Sequence, residues 1–250
     1  DLLSKKFRTC SYDRPGLGWS QKKDDVLSSE DIAENLHQLL KDSGELSSLV
    51  LVGHSAGGIY VRKYAQKYPA GVLGLVFIDS AHEQGEVRGI VKSKEDQAIL
   101  EEDLSLLEYC EKNQAHHPDV QKSLDEDRKK LLESGSELQI EMFDIQNQPE
   151  SCGPIKNEIL RHTREGKSSP PPQSLDDLPI LVFTSDPKVS LAAGFPEEFL
   201  PKLKILSDEI IELSSSSVHY EVEDSGHQIQ SDKPEFLYEK ISDWVGQLKN

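Results

Sequence analysis

A chain of 250 residues with 36% hydrophobic content can form one α/β domain with an insertion, or two small domains. Its formal charge of −17 argues against nucleic acid and against an anionic membrane surface as partners. No stretch approaches the roughly 18 consecutive apolar residues of a spanning helix, so no membrane span is expected.

Three cysteines, Cys10, Cys110 and Cys152, make no Cys-x-x-Cys pair. Free or buried thiols in a reducing, cytoplasmic compartment are the default expectation, although Cys110 and Cys152 could meet within the middle segment. The first residue is Asp1 rather than methionine, which is expected of a processed chain or a fragment.

Phe7-Arg8-Thr9-Cys10-Ser11-Tyr12 reads as a short strand, ended by the Pro/Gly-marked loop Asp13–Ser20. Gly16-Leu17-Gly18 starts a dinucleotide fingerprint, but the third glycine would fall on Gln21 and no helix opens there, so no cofactor site is expected. Ile32, Ala33, Leu36, Leu39 and Leu40 share one face of a helix over Ser28–Ser43, with Ser28 or Ser29 as cap and Gly44 as stop.

Next comes an apolar run, Leu49-Val50-Leu51-Val52, that stops at Gly53-His54-Ser55-Ala56-Gly57-Gly58. Gly-x-Ser-x-Gly between a strand and a helix is the context of a nucleophile elbow, whose sharp turn lifts the serine hydroxyl out at the end of a sheet. Small residues two positions either side of Ser55 suit a strained backbone that passes close to its neighbours. A helix from about Ala56 to Tyr68 follows, stopped by Pro69, and Val72–Ile78 reads as a buried parallel strand ending on Asp79.

From Glu83 to about Pro172 the strand-like runs vanish. Apolar residues recur at helical intervals (Leu100, Leu104 and Leu107, then Ile155, Ile159 and Leu160), which predicts three or four helices with polar outer faces. Lys167–Ser174 is a linker by composition. Sheet character returns with a strand at Leu178–Thr184, a helix around Phe199–Leu213, a strand at Val218–Val222 and a closing amphipathic helix from Pro234. The expected organisation is a first core part at 1–82, a helical cap at 83–172 and a second core part at 173–250. Such alternation belongs to an α/β fold with a mostly parallel sheet flanked by helices and an inserted cap.

Active groups in such sheets sit at the carboxyl ends of strands, and Ser55, Asp79, Asp186 and His227 all fall just past such ends. A serine hydroxyl needs a base to take its proton, and the base needs an acid to fix its tautomer. His227, after a strand and a Ser-Gly turn, suits the base. Asp79 and Asp186 both satisfy the chain order Ser, Asp, His. Asp79 sits directly on a clean buried strand and is preferred; Asp186, on a looser stretch, is the alternative acid. Asp224 is too close to His227 along one loop. His54 is expected to pack against the sheet, and His82 to line the site or lie at the surface. His116-His117, with no third ligand nearby in sequence, makes a weak metal case, so no metal site is expected.

At Tyr12-Asp13-Arg14-Pro15-Gly16-Leu17-Gly18-Trp19-Ser20, Gly53-His54-Ser55-Ala56-Gly57-Gly58 and Ser225-Gly226-His227, the chain resembles the α/β-hydrolase fold superfamily. It looks most like the esterase/lipase-like group with a helical cap. The resemblance implies Ser55 as nucleophile, His227 as base and the backbone N–H of Ala56 as one oxyanion-hole donor. The implied function is hydrolysis of an ester, thioester or amide of a small-molecule acyl substrate, with the cap setting the pocket. A non-catalytic binding or scaffolding protein on the same fold is the alternative. The resemblance also implies an earlier strand and a His-Gly oxyanion loop before the Tyr12 segment, yet only residues 1–11 precede it. Either the sequence is a fragment lacking its first strands, or the Tyr12 strand pairs elsewhere.

Overall fold

In the computed structural model, residues 2–21, 27–84, 94–135, 137–168, 171–192 and 197–248 are described. Their elements run α1 (Ser29–Asp42), β1 (Leu49–His54), α2 (Ala56–Lys67), β2 (Val72–Ile78), α3 (Lys94–Asn113), α4 (Pro118–Ser134), α5 (Glu137–Gln146), α6 (Cys152–Ser168), β3 (Ile180–Ser185), α7 (Pro187–Ala192), α8 (Leu200–Ile211), β4 (Ser217–Val222), α9 (Ile229–Asp232) and α10 (Pro234–Leu248). The chain divides into two compact units. One comprises Asp1–Cys10, Ser28–Ile90 and Glu165–Asn250, and the other Ser11–Leu27 and Val91–Arg164.

The first unit is built on a four-stranded sheet of order β1-β2-β3-β4, parallel at every pairing. Period-2 alternation on β2 sends Leu75 and Phe77 to one face and Val76 and Ile78 to the other. The first pair packs with Ala33 of α1, Val61, Tyr64 and Ala65 of α2 and Ile210 of α8. The second pair packs with Leu237, Ile241, Trp244 and Val245 of α10 and Ile229 of α9. β2 and β3 are covered on both faces, which is why they read as continuous apolar runs. Helix α1 starts where a reciprocal capping box allows it: Asp31 N–H donates to Ser28 Oγ at 3.1 Å, and Ser28 N–H donates to Asp31 Oδ2 at 2.8 Å.

The Phe7–Tyr12 strand expected from sequence does not form. Phe7 instead packs on the core cluster shared with α10, and residues 8–12 are exposed and pair with no strand. A strand exists only where a neighbour takes its backbone hydrogen bonds. Among the described residues β1 is an edge, with Val52 left 46% exposed.

A buried ion pair ties α2 to the segment after β2. Arg62 and Glu83 are in contact with side chains 3% and 4% exposed, and burial pushes the guanidinium pKa down to about 10, so it stays charged at neutral pH. Removing one partner would strand the other charge in a low dielectric. Glu83→Ala is therefore expected to cost about 3–5 kcal/mol in urea unfolding of the chain; a loss below about 1 kcal/mol would show that solvent already reaches Arg62.

In the second unit Arg128 of α4 grips Asp144 of α5 with two bonds of 2.6 and 2.7 Å, and Arg14 bonds both oxygens of Glu158 on α6 at 2.8 Å. Cys110 of α3 and Cys152, which opens α6, form a disulfide spanning 42 residues. This corrects the expectation of free thiols, and the argument from unpaired cysteines to a reducing compartment goes with it. In the chain-entropy view a loop of that length stabilises the fold by about 4 kcal/mol. Among the described residues no helix is long and apolar enough to cross a membrane. Lys167 and Ser168 of the expected linker end α6, while Ser169 and Pro170 lie outside the described residues.

Candidate functional site

All four strands run the same way, so the residues following them gather at one edge of the sheet. Register makes this specific: His54 pairs with Ile78, and Ile78 with Phe183. Ser55 and Asp79 are therefore the next residues of adjacent strands. Ser55 has φ 51° and ψ −124°, a left-handed conformation that a serine adopts only when its surroundings enforce it. Here three backbone bonds do so. Ser55 N–H donates to Ile78 O at 3.1 Å, and its carbonyl accepts from Gly58 N–H at 3.0 Å and Ala81 N–H at 2.9 Å.

Helix α2 begins immediately, so the N–H of Ala56 is one of the orphan donors that a helix start leaves without an intrahelical partner. The crowding around the turn differs from the symmetric pattern expected of Gly-x-Ser-x-Gly. A Cβ on Gly53 would lie 2.4 Å from Gly57 backbone atoms, and one on Gly58 would lie 1.8 Å from Ser80 Oγ. A Cβ on Gly57 would meet nothing within 4 Å. Gly53→Ala is thus expected to lose about 1–3 kcal/mol or more to overpacking against backbone. Gly57→Ala should be neutral or stabilising by up to about 1 kcal/mol through helix propensity. Paired melting curves of the two variants check this ordering.

Asp79 follows β2 with φ 39°. Its Oδ2 lies 2.6 Å from His227 Nδ1, and its Oδ1 accepts from Ser185 N–H at 3.0 Å. One carboxylate oxygen is thereby fixed by the β3 backbone while the other faces the imidazole. His227 itself is 53% exposed at the side chain, against 21% for Asp79.

Three of the bonds that hold the loop carrying His227 come from Ser225, Asp232 and His54. Ser225 is fully buried and its Oγ–H donates to Val222 O at 2.7 Å. Gly226 N–H donates to Asp232 Oδ2 at 2.8 Å. His54 Nε2–H donates to the carbonyl of His227 at 2.8 Å. A carbonyl can only accept, so the proton of His54 sits on Nε2, and burial lowers the His54 pKa, which keeps the ring neutral.

His54, expected to pack against the sheet, buttresses the His227 backbone. His82 is not at the surface: its side chain is 1% exposed and faces Glu209 at 3.2 Å. The loop-holding parts of Ser225 and Asp232 have no sequence signal beyond the Ser-Gly turn.

Asp186 lies elsewhere in the network. It is 6% exposed; Oδ1 accepts from Lys188 N–H at 2.9 Å and Oδ2 from Asp224 N–H at 3.1 Å. These two amides hold its carboxyl below the usual carboxylate range. Both oxygens are occupied in capping α7 and pinning the loop after β4, and neither is bonded to His227.

The family profile described as alpha/beta hydrolase fold matches residues 1–98. A 1-acylglycerol-3-phosphate O-acyltransferase of Arabidopsis thaliana is 33% identical over 85 residues, covering 32% of this chain and 20% of that protein. The curated relatives that match do so over only about 13% to 24% of their own length. Among solved structures, a thermophilic esterase from Thermogutta terrifontis superposes with TM-score 0.61 at 21% identity, covering 95% of this chain and 79% of that one. An epoxide hydrolase of Bacillus megaterium superposes with TM-score 0.58 at 15% identity, covering 94% and 82%. At such identities these likenesses speak to the fold. With the parallel sheet and the profile match over residues 1–98, they show that the chain has the α/β-hydrolase fold.

Proposed function

We propose that this chain carries the reaction centre of a serine hydrolase that cleaves a carboxylic ester, or a related thioester or amide, of a small-molecule acyl substrate. The observation that carries the reading is the 2.6 Å contact between Asp79 and His227 at the strand edge that also bears Ser55. In this reading Ser55 Oγ attacks the acyl carbon while its proton passes to His227 Nε2. Asp79 holds the proton on Nδ1 and stabilises the imidazolium that results. The carbonyl oxygen becomes an oxyanion facing the N–H of Ala56, which has no partner inside α2. Collapse of the tetrahedral adduct expels the alcohol, protonated by His227, and leaves an acyl group on Ser55. Water, deprotonated by the same histidine, releases the acid.

The acyltransferase name of the Arabidopsis relative motivates one variation, in which an acceptor alcohol takes the place of that water. Both versions pass through the same acyl-enzyme. Rapid quench of the chain with an activated ester, followed by peptide mass analysis, tests them together. The expected result is one acyl group on the peptide containing Ser55. Turnover with no acyl group on Ser55 would sink both versions.

A further inference from the structure

The second unit holds a group of soft ligand atoms. Cys110 Sγ, Cys152 Sγ and one ring nitrogen of His116 lie within 4.8 Å of one another, with both cysteines buried and the histidine half-buried. His116 Nδ1 is 3.6 Å from Cys110 Sγ and 3.7 Å from Cys152 Sγ. Its other nitrogen, Nε2, lies 2.7 Å from the carbonyl of Asn147. A carbonyl has no proton to give, so Nε2 carries a hydrogen and Nδ1 is turned toward the two sulfurs. The Asn147 carbonyl on Nε2 is what aims the ring, and it sets Nδ1 against both sulfurs.

In tetrahedral zinc coordination, with Zn–S about 2.3 Å and Zn–N about 2.0–2.1 Å, the N···S edges are about 3.5–3.6 Å and the S···S edge about 3.8 Å. Both N···S edges are already present in the disulfide form, and only the sulfurs must part. The carbonyl on Nε2–H is the outer partner that commonly orients a ligating histidine.

We propose that, once reduced, Cys110, Cys152 and His116 form a Zn²⁺ site, and that the disulfide and the zinc complex are alternative states of one cluster. A thiol reductant supplies the two electrons and two protons that convert the disulfide to two thiols, itself becoming a disulfide. Zinc then displaces the two thiol protons and binds two thiolates and the neutral imidazole, with water in the fourth position. Oxidation of the thiolates reverses the sequence and releases the metal.

The test uses the full chain carrying Cys10→Ser, since Cys10 is an exposed free cysteine. The protein is reduced, freed of reductant and titrated with Co²⁺ under anaerobic conditions. One equivalent of Co²⁺ should bring up thiolate-to-cobalt charge-transfer absorption that Zn²⁺ then abolishes, while the disulfide form gives none. Cys110→Ser and Cys152→Ser should each remove most of the absorption. His116→Gln should weaken Co²⁺ binding at least about tenfold, in the range expected for loss of a ligand or its support. In His116→Gln the oxidised protein should still show no free thiol, which separates loss of a ligand from loss of the fold. Absence of the absorption in reduced, folded chain would overturn the proposal, as would equal affinity with and without His116.

Discussion

Ser55→Ala is expected to abolish labelling of the chain by a fluorophosphonate and to lower ester turnover by about 10⁴-fold or more. The size of the effect follows from the chemistry: with the hydroxyl gone, no acyl-enzyme can form, and only binding and oxyanion contacts remain. Alanine occupies the same backbone turn, whose three bonds to Ile78, Gly58 and Ala81 involve main-chain atoms of residue 55 only. The melting temperature should therefore stay within a few degrees of the parent, and loss of labelling can be read as loss of the nucleophile. Labelling that persists in Ser55→Ala would place the reactive serine elsewhere. A folded parent that neither labels nor turns over model esters would favour the binding or scaffolding reading of the same fold.

The parts of this fold that were readable in sequence are those where one local pattern had a single solution. Val72–Ile78 is apolar at every position but one, because both faces of β2 are covered, and its end on Asp79 leaves no slack. Gly53–Gly58 announced a turn, but which glycines are crowded depended on where Ser80 and the α2 backbone pass.

The Phe7–Tyr12 segment has strand composition but no strand beside it among the described residues, and pairing is a property of the sheet rather than of the segment. The choice between Asp79 and Asp186 was open for a similar reason. Both end parallel strands at the same edge, and what separates them is which way the loop after β4 turns back. That turn is fixed by Asp186 holding Asp224, by buried Ser225 and by His54 holding His227. The Cys110–Cys152 pairing joins helices far apart in sequence, and nothing in the spacing announces it.

Asp79→Asn is expected to lower turnover by about 10⁴-fold with KM little changed, whereas Asp186→Asn, which reaches His227 only through the loop after β4, should lower turnover far less and lower thermal stability. The asymmetry comes from hydrogen counting. An asparagine at 79 can keep its oxygen on Ser185 N–H, where Asp79 Oδ1 now accepts at 3.0 Å. Its NH₂ then faces His227 Nδ1, which must become the acceptor, and the imidazole proton moves to Nε2. The atom that has to receive the Ser55 proton is then already protonated, and the base is lost with the fold intact.

At Asp186 both oxygens accept backbone N–H groups, from Lys188 and Asp224. Asparagine offers one oxygen and turns an NH₂ toward the other donor, so the defect falls on α7 and the loop after β4. These amides also give that loss a pH signature. The folded carboxyl sits below its unfolded value of about 3.9, so its stabilisation is present above that pH and fades as pH falls through the folded pKa. The gap in melting temperature between parent and Asp186→Asn should accordingly narrow in acid. Turnover that falls further in Asp186→Asn than in Asp79→Asn would reverse the assignment of the acid.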